Sequence, residues 1–443
     1  MTRTCLVRLL LAVALATGLR PGLAEEPEGG FNSPAFSAPA AEPAQAPPEP
    51  GSEAPPAEAG GTGLSIAVPA TLDVTDDLPR VPTVDLTNDA IDIWDRIRRG
   101  FGMPDLDNDD VERQQLAYLS NPDYLDRSFE RGRPFLYHIV AELEARGMPT
   151  ELALLPMVES AYNPRAYSRA RAAGLWQFIP STGKVFNLEQ NPWVDERRDV
   201  VASTAAALDY LQYIYEMHGD WQLALASYNW GEGAVARALR KNDEQGKPLE
   251  YTHLRLPRET RNYVPKLQAL KNIVARPELY GIELPYVANK SYFETVDSPP
   301  GLDLATAASF AGIPLEEFVA LNPALKRPII PEGTQPIVLP AESVETFRAN
   351  LALSGDAVAR WRSYTAQGKD SLRSVASRFG VSLPVLAEVN GLSPTSRIKA
   401  GQKLLVPVGG NAEEAVRAAR ALPDEPKLKP RKVRKRYRKR SKQ

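Results

Sequence analysis

From Asn88 to Tyr280 the apolar positions recur at helical spacing, in stretches broken by Gly and Pro. The pattern predicts helices over Ile91–Arg99, Val111–Leu119, Phe135–Arg146, Glu151–Ser160, Asp199–Met217 and Trp221–Tyr228. Strand-like alternation is scarce there, so the block is expected to be mainly α. After Leu284-Pro285 the texture changes to short β-like runs around two short helices. This region repeats at an offset of 68: Gly312-Ile313-Pro314-Leu315, Asn322 and Gly333 correspond to Gly380-Val381-Ser382-Leu383, Asn390 and Gly401, and Leu339-Pro340 corresponds to Val406-Pro407 one residue short of that offset. Gly to Asn is ten residues in both copies and Asn to Gly is eleven in both. Equal gaps of this kind mark one small unit used twice. The fold class expected is α+β and multidomain.

The two ends of the chain carry no such periodicity. Arg3 and Arg8 form a positive region before a short apolar run, Leu9 to Leu15, and Gly22-Leu23-Ala24 supplies small residues after it, as a cleavable signal peptide does. Cys5, the single cysteine of 443 residues, lies before that run. It is misplaced for lipid anchoring, and a lone thiol excludes a disulfide framework. From Glu25 to about Pro82 the chain is rich in Pro, Ala, Glu and Gly, a composition that cannot bury enough apolar surface to order itself and reads as a tether. At the other end Lys427 to Gln443 holds eleven Lys or Arg and no acid, so a net charge of −2 conceals a body at −13. Such a tail is suited to electrostatic contact with an anionic envelope surface, not to nucleic-acid recognition by a fold. The three histidines are too far apart for metal-ligand spacing, and neither a metal nor a cofactor is expected.

The candidate chemistry sits in Glu151–Ser160. Leu152, Leu155, Pro156 and Glu159 stand at i, i+3, i+4 and i+7, which places one carboxyl at the end of an apolar stripe. Burial disfavours the charged carboxylate and raises its pKa, as a general acid near neutral pH requires. On helix geometry alone, a solvent-facing Glu paired with Arg165 or Arg169 competes with this.

The continuation changes the balance. Glu159-Ser160-Ala161-Tyr162-Asn163-Pro164 is followed by Ala173-Gly174-Leu175-Trp176-Gln177-Phe178-Ile179-Pro180. Ala226-Ser227-Tyr228-Asn229-Trp230-Gly231 and Asn262-Tyr263-Val264-Pro265 come after it. Four blocks in this order, from about Asn88 to Pro285, resemble the lytic transglycosylases that cleave bacterial peptidoglycan, in the branch of the membrane-bound type D enzymes. The resemblance implies a lysozyme-like fold with Glu159 as the one catalytic acid/base. It implies that Ser160 and Gln177 orient the glycan and its N-acetyl group, that Tyr228 and Asn229 floor the cleft, and that Tyr263 hydrogen-bonds toward the acid. Trp176 departs from the Met of many relatives and is expected to reshape the sugar subsite.

The second repeat, Tyr364 to Pro407, resembles a LysM module. Tyr364-Thr365 and Lys403–Pro407 match its strands, Ser371–Phe379 and Leu383–Val389 its helices, and the fold implied is a βααβ unit that binds N-acetylglucosamine chains. The first repeat, about Tyr292 to Pro340, lacks the Gly-Asp-[Ser/Thr]-Leu opening and is expected to act mainly as a spacer. The organisation expected is a signal peptide over 1–24, a tether over 25–82 and a lysozyme-like domain over 83–287. A degenerate repeat over 288–341, a helical linker over 342–361, a LysM module over 362–408 and a basic tail over 409–443 follow. The function implied is a periplasmic peptidoglycan lytic transglycosylase. A goose-type muramidase and a non-catalytic wall-binding scaffold are the alternatives.

Overall fold

The computed structural model describes residues 90, 92–331, 336–354, 361–408 and 422. The signal-peptide and tether segments, the tail apart from Leu422, and Gly333 lie outside the described residues.

The helical block contains α1 (Ile93–Arg99), α2 (Asp109–Leu119), α3 (Pro122–Ala145), α4 (Leu155–Ser160), α5 (Pro180–Val185), α6 (Val200–His218), α7 (Trp221–Trp230), α8 (Glu232–Asp243), α9 (Arg258–Arg261) and α10 (Tyr263–Ala275). Short polar residues start many of them: Asp92, Asn108, Asp199 and Asp220 each accept a hydrogen bond from a backbone N–H of the first turn. Their apolar faces close on one core that includes Ile93, Trp94, Phe129, Leu136, Leu152, Leu211 and Leu270, with Trp94 edge-on to Phe129 at 5.1 Å.

The segment Glu151–Ser160 is not one helix. Thr150–Leu154 is a 3-10 turn and α4 begins only at Leu155. Pro156 has no N–H to return to the Leu152 carbonyl, so an α-helix cannot run through that point unbroken. Ala161 and Tyr162 then both take left-handed backbone, with φ of 51° and 53°. Tyr162 is held there by its hydroxyl, which donates to the Ala153 carbonyl at 2.8 Å, and by its ring, which packs on Gly132 of α3.

At the head of this segment Glu151 is almost wholly buried. Its carboxylate accepts from Gly102 N (2.9 Å) and Met103 N (2.8 Å) and pairs with Lys271 Nζ of α10 at 3.1 Å. That buried ion pair fastens the strand of chain leading to Glu159 onto the helix that carries Tyr263.

Two βααβ units follow. The first is β1 (Phe293–Val296), α11 (Leu304–Ala311), α12 (Leu315–Leu321) and β2 (Ile337–Pro340), with β1 antiparallel to β2. After it comes α13 (Val344–Ser354), whose Phe347 is buried in the core of that unit, so the segment expected to link the repeats packs on the first of them. The second unit is β3 (Trp361–Thr365), α14 (Leu372–Arg378), α15 (Leu383–Val389) and β4 (Lys403–Pro407), with the same pairing. Gly312 and Gly380 end the first helix of each unit with φ of 68° and 63°. The repeated asparagine has one job in both copies. Asn322 donates to Phe318 O and Val338 O and accepts from Val338 N, at 2.8–2.9 Å. Asn390 does the same with Leu386 O, Leu405 O and Leu405 N, at 2.7–3.0 Å.

Candidate active site

Glu159, Gln177, Tyr228 and Asn229 come together on one open cavity of about 140 Å³, whose other walls are Phe178, Ile179, Thr182, Tyr210, Trp230, Gly231 and Glu232. Glu159 closes α4 and is 2 % exposed. Its Oε1 accepts the hydroxyl hydrogen bond of Tyr263, and its buried Oε2 has no partner among the described residues. Burial pushes the carboxyl up to about 7, against the opposing pull of the Tyr263 hydrogen bond and of the Lys266 charge. Tyr263 and Tyr228 are themselves raised well above 10, first by burial and then by the Glu159 charge, so both stay protonated.

The remaining groups have definite polarity. Gln177, in left-handed backbone at φ 51°, directs Nε2 to Gly174 O (2.8 Å) and Ala166 O (3.4 Å). Oε1 is left as the group it can offer a ligand. Asn229 is the converse, because Oδ1 accepts from Thr260 Oγ1 at 2.8 Å and leaves the amide N–H groups to donate. Tyr228 donates to Trp176 O at 2.9 Å. The rings of Phe178, Phe186, Tyr210 and Tyr228 run in series with centroids 5.1–6.3 Å apart, and Phe178, Tyr210 and Tyr228 line the cavity with aromatic surface of the type on which sugar faces stack.

Two residues that the sequence placed at the sugar site stand off the cavity lining. Ser160 does not line the cavity: its hydroxyl is directed to Pro156 O (3.0 Å) and Leu175 O (2.9 Å), so it fastens α4 to the loop carrying Gln177. Trp176 is wholly buried, with Nε1 on Thr204 Oγ1 at 3.0 Å, so its ring belongs to the core, while its carbonyl accepts from the cavity residue Tyr228. Gly174 is more than a turn residue. At φ 84° it lies against the Arg197 backbone, where a Cβ would overlap the Arg197 carbonyl.

Sequence reasoning did not single out Glu232, a second cavity carboxylate, whose Oε2 accepts the Tyr210 hydroxyl at 2.7 Å. It stands two residues beyond Trp230, at the foot of the next helix, and only the α7–α8 corner brings it to the cavity. Asp195 and Glu196 are engaged elsewhere, by Arg197 and by Glu189 N, and Asp199 caps α6.

Residues 137–250 match the Transglycosylase SLT domain, 292–356 the lytic transglycosylase MltD LysM-like domain, and 364–407 the LysM domain. The chain is 38% identical over 336 residues to the membrane-bound lytic murein transglycosylase D of Escherichia coli (strain K12), covering 73% of this chain and 74% of that one. It is 40% identical over 149 residues to a putative tributyltin chloride resistance protein of Alteromonas sp. (33% and 72%). Over 127 residues it is 29% identical to the soluble lytic murein transglycosylase of Salmonella typhimurium (28% and 19%).

Proposed function

Because the chain belongs to the membrane-bound lytic murein transglycosylase D family, we propose that it cleaves the bond between N-acetylmuramic acid and N-acetylglucosamine with Glu159 as its one acid/base. The enzyme is a peptidoglycan lytic transglycosylase that works at the cell envelope. In the proposed reaction the neutral Glu159 carboxyl protonates the glycosidic oxygen and the C–O bond to the muramic anomeric carbon breaks. The C6 hydroxyl of the same sugar forms the new bond to that carbon, and its proton passes to the Glu159 carboxylate. The product ends in 1,6-anhydromuramic acid and Glu159 is restored, with no water consumed. An attacking group already tethered to the substrate has a high effective molarity, which is why a second catalytic carboxylate is unnecessary.

Gln177 Oε1 is suited to accept the N–H of an N-acetyl group, Asn229 to donate to a sugar oxygen, and Glu232 to accept a sugar hydroxyl. The observation that carries the proposal is the desolvated Glu159 carboxyl, with one oxygen on Tyr263 and the other without a partner among the described residues. Secretion through the segment 1–24 into the periplasm, wall binding by the second repeat with the first as a spacer, and surface contact by the basic tail complete it.

The deciding experiment is mass spectrometry of digested sacculi. Anhydro ends are expected from the parent protein and a loss of at least a hundredfold in their formation from Glu159→Gln. Reducing ends in their place would make the enzyme a muramidase.

A further inference from the structure

Two arginines near the cavity are less completely paired than Arg197, which lies next to one of them. Arg197 is fully engaged: Nε and Nη2 hold the two Asp195 oxygens at 2.8 and 2.7 Å, and Nη1 donates to Arg171 O and Phe178 O. Arg198, the next residue, is 6 % exposed and makes no side-chain hydrogen bond among the described residues. Its Nε is buried without a partner, and the nearest carboxylate oxygen, Asp195 Oδ2 at 4.0 Å, is the one Arg197 already holds. Its guanidinium lies over the Tyr167 ring at 5.5 Å. Arg165 is half-buried near it, and burial and the Arg198 charge together lower its pKa from the usual arginine value. Two like charges withdrawn from water raise the energy of the empty protein, and an anion between them would relieve it.

The position relative to the cavity is set by backbone. Ala166, between Arg165 and Tyr167, gives its carbonyl to both Gln177 Nε2 and Gly174 N, and Gly174 packs on the backbone of Arg197 and Arg198. Neither arginine lines the cavity, but the backbone that carries both borders the segment that holds Gln177. A glycan backbone offers hydroxyl and acetamido groups there, whereas the peptide branch of peptidoglycan offers carboxylates, whose planar pair of oxygens matches a guanidinium fork. We propose that Arg165 and Arg198, with Tyr167 as a platform, bind a carboxylate of the substrate's peptide branch. The proposal rests on the substrate class assigned above.

The test uses the full chain carrying Glu159→Gln, so that binding is read without turnover, and two soluble fragments of the same glycan, one with its peptide and one without. Calorimetry should show that adding Arg165→Gln, or separately Arg198→Gln, lowers the preference for the peptide-bearing fragment about tenfold, the scale of one charge-assisted hydrogen bond. A folding defect would show as weakened binding of the peptide-free fragment as well, so an unchanged preference in Arg165→Gln with the peptide-free fragment bound as tightly as by the parent overturns the proposal. Failure of the proposed reaction would show separately, as missing anhydro ends from the parent protein.

Discussion

Glu159 is held in a state useful for catalysis at a cost to stability. In the unfolded chain its carboxyl titrates near the ordinary 4.5, whereas burial holds the folded group at about 7. Below 4.5 both states keep the proton. Between 4.5 and 7 only the folded state keeps it, so this residue's contribution to stability falls as pH rises, by roughly 3 kcal/mol in total. Glu159→Gln is neutral throughout. Calorimetry should therefore show its melting temperature gaining on the parent's from pH 4.5 to 7, and a constant gap would contradict the buried neutral acid. The same proton sets the rate. kcat/KM should decline above about pH 7 as the acid is lost. Tyr263→Phe removes a hydrogen bond that favours the charged form, so the decline should move to higher pH while the rate falls.

The elements that present these residues are fixed by a few buried polar contacts. Lys271→Ala would leave the buried Glu151 without its cation and should cost about 3–5 kcal/mol, seen as a lowered melting temperature, because the pair joins the Glu159 segment to α10. Asn390→Ala removes the bonds between the end of α15 and β4. It should cost about 1–3 kcal/mol and speed hydrogen exchange in Lys403–Pro407 before the helical block.

What the sequence revealed follows the same division. The two repeats were legible because Gly312 and Gly380 need left-handed backbone and Asn322 and Asn390 need identical partners, so the residues recur with their spacing. Glu159 was singled out by the motif blocks that follow it, because the apolar stripe alone left a solvent-facing Glu in competition, and Pro156 breaks the single helix that the stripe suggested. The inward turn of Trp176, the fastening role of Ser160 and the place of Glu232 depend on contacts between distant segments, and periodicity carries no record of those.

At the scale of the molecule, the loop 190–195 joins the helical block to both repeats. Its backbone pairs with the first repeat through Asp195 N to Ala324 O (3.0 Å) and Lys326 N to Trp193 O (2.8 Å). The Trp193 ring, half-buried, packs against the core of the first repeat and also against a smaller cluster of Ile329, Trp361, Val389 and Leu405 that lies between the repeats. Arg327 of the first repeat lies against Gly391 of the second. The cavity and the repeats are thus held in one arrangement by backbone hydrogen bonds and packed side chains instead of being strung on a linker. If the repeats serve to keep the cavity on a wall-bound strand, this arrangement matters for an insoluble substrate and little for a small soluble one. Trp193→Ala should accordingly lower the rate on intact sacculi several-fold more than the rate on soluble glycan fragments, with Glu159 chemistry unchanged. Equal rates relative to the parent on both substrates would mean that the repeats act without any fixed relation to the cavity.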